Sequence, residues 1–174
     1  MSEFSRPVRV DTIGSEPREI AIEAGGAELA ALARRFDIAS LGSLSARAHL
    51  SRQGGDIRAT GRLEAELVQL CAATGVDLPS RIAEPFDVIF RAEVPSDVPE
   101  AGLELSEGEC DVVFFDGAAA DLGEAVAETL ALAIDPFARA AGADAVLGAA
   151  GVLSEEEARA ASSPFAGLAA LKRD

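Results

Sequence analysis

The stretch ARAHLSRQGGDIRATGR, residues 46–62, constrains this chain more than any other. Its side chains alternate apolar and polar, the period of a strand with one buried face. Gly54-Gly55 interrupts the alternation, and glycine takes φ > 0 without steric penalty, so the pair signals a two-residue hairpin turn. So short a turn fixes the register. Gln53 pairs with Asp56, Ser51 with Arg58, His49 with Thr60 and Arg47 with Arg62. A slip of one residue would turn the arginines into the core. Ala46, Ala48, Leu50, Ile57, Ala59 and Leu63 therefore share one face. Arg47, His49, Arg58 and Arg62 share the other.

The neighbouring segments extend the pattern. Alternation continues through EAELVQLC, the turn-rich ATGVDLP follows, and IAEPFDVIF sets Phe86, Val88 and Phe90 on one side. Three strands joined by short turns read as an antiparallel meander. Upstream, RPVRVD and REIAIEA read as short strands. In AGGAELAALARRF, Leu29, Leu32, Ala33 and Phe36 recur at helical spacing. CDVVFFD reads as a short apolar strand. The expected fold is α+β: an antiparallel β-meander sheet with two main helices packed on it, and an irregular or helical C-terminal tail over about 136–174. Residues 1–174 read as a single domain, with an acidic mobile loop at about 95–109, where proline, glycine and acids concentrate.

Charge narrows the function. The net charge is −15. Residues 1–62 carry nine arginines against eight acids, and residues 63–174 six basic groups against twenty-two acids. An acidic chain is repelled by nucleic acid and anionic lipid unless a local patch overrides the mean. Any contact with RNA therefore falls on the first third, where Arg47, His49, Arg58 and Arg62 form a candidate anion-binding face. The start MSEFSRPVRVD lacks the apolar region of a secretory signal, no apolar run approaches a membrane span, and two cysteines do not make a disulfide scaffold. The expectation is a cytoplasmic protein with no membrane contact.

The segment DLGEAVAETLALAIDP, residues 121–136, poses a sharper question. At 100° per residue Asp121, Glu124, Glu128 and Asp135 fall on one arc, and Leu122, Val126 and Leu130 on the other. Asp121 suits an N-cap with Glu124 three residues on, and Pro136 stops the helix. A metal or acid–base site needs converging partners, and the one histidine lies on another element. The carboxylates read as a solvated stripe, and functionally as a partner-contact stripe. One histidine and two distant cysteines cannot build a four-ligand zinc site from this chain alone. Cys71 reads as a buried strand residue and His49 as a surface one. No phosphate-cradling glycine loop, dinucleotide fingerprint or nucleophile–base arrangement is present, so no enzyme, cofactor or small-molecule substrate is expected.

Two stretches together resemble the YceD family of large ribosomal RNA subunit accumulation proteins: GRLEAELVQLCAATGVDLPSRIAEPFDVIF, residues 61–90, and DLGEAVAETLALAIDPFARAAGA, residues 121–143. The closing SPFAGLAALK is similar to the family's last segment. Some members carry a second cysteine where Thr74 stands, and proline is common where Ala138 stands. The resemblance implies a bacterial or organellar non-enzymatic factor for accumulation and assembly of large-subunit ribosomal RNA. The Arg-bearing hairpin, not the resemblance, points to binding of that RNA or a pre-ribosomal particle. The alternative is an acidic module that chaperones a basic ribosomal protein without touching RNA.

Overall fold

The computed structural model describes residues 2–92, 111–115, 118–153 and 157–159. The expected loop at 95–109, Cys110 and the closing SPFAGLAALK lie outside these residues. The architecture is α+β. A five-stranded sheet runs β2–β3–β4–β5–β6, from β2 (Arg18–Glu23), β3 (Ser40–Gln53), β4 (Asp56–Leu70) and β5 (Asp77–Ala92) to β6 (Asp111–Phe115). A separate two-stranded ribbon pairs β1 (Pro7–Arg9) with β7 (Ala119–Asp121). The main helices are α1 (Gly26–Arg35), α2 (Leu122–Ala133) and the short α3 (Ala143–Ala149).

The hairpin forms in the register the sequence dictates. Gln53 faces Asp56, Ser51 faces Arg58, His49 faces Thr60 and Arg47 faces Arg62. Gly54 alone takes the left-handed conformation, φ 65°, as a type II′ turn requires of its first central residue. Leu44, Ala46, Ala48 and Leu50 of β3, with Ile57, Ala59, Leu63, Ala65 and Leu67 of β4, are all buried. The core is mainly leucine and alanine, with Phe4, Phe86 and Phe90 as its buried aromatics, and no polar side chain is buried among the described residues.

The sheet is mixed rather than wholly antiparallel. β2 pairs antiparallel with β3, and β3 with β4. The short turn after β4 leaves no room for a crossover, so β5 returns antiparallel. β6 pairs parallel with β5, Val88 facing Asp111 and Phe90 facing Val113. The connection over residues 93–110 is long enough for the chain to cross back, which a parallel pair requires. β6 covers only Val88–Ala92 of β5. Pro79 and Pro85 thus fall where β5 has no partner in β6, the position in which a sheet tolerates a residue without an amide hydrogen.

Helix α1 buries Leu32 and Ala33, with Leu29 and Phe36 partly covered, the face its spacing predicts. Glu28 accepts the Gly25 amide at 2.7 Å and caps the helix start. Helix α2 buries Leu122, Val126 and Leu130 completely. It ends at Ala133, before Pro136. The chain divides into two compact units, one of residues 1–69 and 79–136, the other of residues 70–78 and 137–174. Within the second, Ala72 N–H donates to Ala138 O at 2.9 Å, and α3 supplies a helical part to the expected tail.

Candidate nucleic-acid interface

Alternation along β3 and β4 carries Arg47, His49, Arg58 and Arg62 to the outer face of the sheet, but they do not form one cationic field. Arg58 is half-buried and gives both arms to Asp87 of β5, with Nε to Oδ1 at 2.8 Å. Arg91, on the same face of β5, is tied likewise to Asp56 at 2.8 Å. A guanidinium held by two parallel bonds to a carboxylate is largely neutralised towards a third party. Asp87 could have been anticipated: it lies between inward Phe86 and Val88, on the outer face of the adjoining strand.

Arg47 and Arg62 differ. They stand directly opposite one another and both are exposed. Arg62 donates to the neutral Ala83 carbonyl at 3.0 Å and has no ion pair with a described residue. Arg47 has no hydrogen bond or ion pair with any described residue, and its other neighbour across the sheet is the small Ala21. Like charges placed opposite one another cost a sheet some stability. His49 lies beside the pair, between Glu19 and Thr60, and is exposed. Arg47, Arg62 and His49 thus stand together on the outer face, with Thr60 adjoining and Glu19 beside His49.

The carboxylates of α2 do not make one solvated stripe. Asp121 caps the helix, accepting Gly123 N–H at 3.1 Å and Glu124 N–H at 3.2 Å. It also takes the Arg6 amide at 2.7 Å and the Ser5 hydroxyl at 2.6 Å. Glu124 does not reach back to complete a capping box. It binds Arg35 of α1 at 2.7 Å and accepts the Ser2 hydroxyl. Both carboxylates are half-buried. Only Glu128 and Asp135 are exposed, and Asp135 lies beyond the helix end, where a count of 100° per residue no longer applies. Sequence reasoning missed that residues 2–9 lie across α1 and α2. An aromatic residue, Phe4, between Glu3 and Arg6 near the start of the chain was the available signal.

This strap has a pH signature. Arg6 grips Glu28 with both arms, at 2.6 and 2.7 Å. That contact, aided by the Gly25 amide, lowers the Glu28 carboxyl from 4.5 to about 2. Arg35 and Ser2 lower Glu124 in the same direction. A carboxyl that protonates near 4.5 unfolded and near 2 folded takes up a proton on unfolding between those values. The Glu28 contribution is therefore full above about pH 4.5 and is lost as pH falls towards 2. Melting temperature followed from pH 6 to pH 2 should fall less steeply in Glu28→Gln than in the parent.

Cys71 is buried as expected, but it is not a strand residue: β4 ends at Leu70, and Cys71 opens the turn that follows. Its sulfur accepts the Ala140 amide at 3.3 Å. The Thr74 hydroxyl has no partner in proper hydrogen-bonding geometry, yet it lies close enough to be the main cause lowering the Cys71 thiol to about 7. Among the described residues no group of histidine, cysteine and carboxylates gathers as a metal site.

The fold and this face define an α+β protein whose mixed sheet presents one polar side, with an arginine pair near its middle. Residues 59–172, about two-thirds of the chain, match the model of the family described as large ribosomal RNA subunit accumulation protein YceD. The chain belongs to that family. No curated protein and no solved structure matches it. No helix among the described residues is long and apolar enough to cross a membrane.

Proposed function

We propose that this protein is a non-enzymatic cytoplasmic factor that supports accumulation of large-subunit ribosomal RNA by docking RNA phosphate on Arg47 and Arg62. The family's description supplies the process. The observation that carries the mode of contact is the pair itself: two exposed guanidiniums face one another without a carboxylate partner among the described residues, on a chain of net charge −15. Two like charges held together disfavour the free protein slightly. A phosphate between them removes the repulsion and gains charge-assisted bonds. His49 and Thr60 supply further donors to the same face. Arg58 contributes little, because Asp87 already holds it.

The test is Arg47→Ala/Arg62→Ala, with binding to large-subunit RNA or a pre-ribosomal particle measured across salt. Each lost phosphate contact should flatten the log–log salt dependence by roughly 0.7–0.9. Folding is checked by circular dichroism. Unchanged affinity and slope would reject the RNA reading. The second reading, a basic ribosomal protein as partner, draws support from the twenty-two acids against six basic groups in residues 63–174.

A further inference from the structure

The five-stranded sheet has two free edges among the described residues, and they are built differently. β2 carries Arg18, Glu19 and Glu23, and charge along an edge strand discourages pairing with another chain. β6 reads DVVFF. After Asp111 it has no charge and no proline. Phe114 stands 60% exposed on it, and its outer edge has no backbone partner among the described residues. An apolar edge strand without charge, proline or a partner among the described residues has the character of a template for an added strand.

Beside β6 lies a cleft of about 200 Å³, formed where the strand meets α2. Val112, Val113 and Leu132 give it apolar walls, and Asp111 and Glu128 bring two exposed carboxylates. Leu132 is 84% exposed although it sits on a packed helix. This combination suits a long cationic side chain, whose methylene stem lies along apolar surface while its head meets a carboxylate. Charge decides among occupants. A second copy of this chain would bring its own −15 and its own Asp111 and Glu128. An extended segment rich in lysine or arginine is attracted at long range and matched at contact.

We propose that β6 is a docking edge for an extended cationic polypeptide segment, which adds as a sixth strand and sets a basic side chain in the Asp111–Glu128 cleft. The proposal rests on the second reading for the class of partner and uses none of the residues of the arginine pair. It gives Glu128 a role that Asp121 and Glu124, bound within the fold, do not share.

The probe is a labelled peptide alternating lysine with valine, tested against the whole protein. A control peptide of the same lysine content has adjacent proline pairs between its lysines, which removes amide donors from both edges, so it cannot pair as a strand. Binding of the first peptide should protect outward amides of residues 111–115 from hydrogen exchange and weaken with salt. It should drop about tenfold in Asp111→Asn/Glu128→Gln, a variant expected to fold normally because both carboxylates are exposed. Binding without protection at β6, and unaltered by that variant, would overturn this surface while the second reading stood. Failure of the peptide to bind at all would overturn this surface, while the second reading is decided separately by binding of an intact basic ribosomal protein. Equal binding of the proline peptide would rule out strand addition. Full protection of the β6 edge in the free monomer would show it covered by the chain itself. Dimerisation that protects the same amides would assign the edge to a second copy. Either result would overturn the proposal.

Discussion

Gly61→Ala should cost about 3 kcal/mol or more, at the upper end of what overpacking a close-packed interior costs. Gly61 sits on the inward face of β4, opposite Ala48. A β-carbon there would lie 2.3 Å from the Arg47 carbonyl oxygen, 2.7 Å from the Phe86 ring and 2.9 Å from the Ala48 α-carbon. Two of those atoms are backbone in the middle of the β3–β4 hairpin. They can yield only if the ladder between β3 and β4 opens. Phe86 uses the missing side chain by lying over the glycine. Phe86→Ala in the same chain should therefore not rescue the variant, since the nearest clash remains. Urea unfolding of the single and double variants decides this. Restoration by Phe86→Ala would show that the ring, not the backbone, limits the site.

Leu130→Ala should cost about 2–5 kcal/mol, because Leu130 is completely buried in the core and its loss leaves a cavity. Glu128, two residues earlier on the same helix, is exposed. Glu128→Gln should change stability by less than about 1 kcal/mol, as surface charges do. Thermal unfolding of both variants measures the contrast directly. Comparable destabilisation would mean that Glu128 is engaged within the fold, as Asp121 and Glu124 are.

The hairpin was legible because its information is local. Two glycines, a strict alternation and a buried face leave one register for Arg47, His49, Arg58 and Arg62. The amphipathic faces of α1 and α2 were legible for the same reason, as was the Asp121 cap. What was hidden depends on residues far apart in the chain. DVVFF reads as a strand, but nothing within it says that it will run parallel to β5. Arg58 looks free beside its own turn and is claimed by Asp87, 29 positions later. The stripe on α2 was drawn from angles alone. Ser2, Ser5 and Arg6, which occupy half of it, lie more than a hundred positions away.

That distance shapes the order of assembly. Arg6 and Asp121 are separated by 115 positions, and Gly123 leaves so little room that a β-carbon there would strike the Phe4 carbonyl oxygen at 2.3 Å. The central hairpin can close from neighbours in the chain soon after both its strands are synthesised. The contacts of residues 4–9 with β7 and α2 must wait until α2 has emerged from the ribosome, and they close a loop that spans most of the protein. Contacts of such large sequence separation are entropically slow to form. The segment is translated before α2 yet fixed in full only after it, and a nascent chain halted before residue 121 can hold it only by contacts such as Arg6 with Glu28 and Glu3 with Arg35.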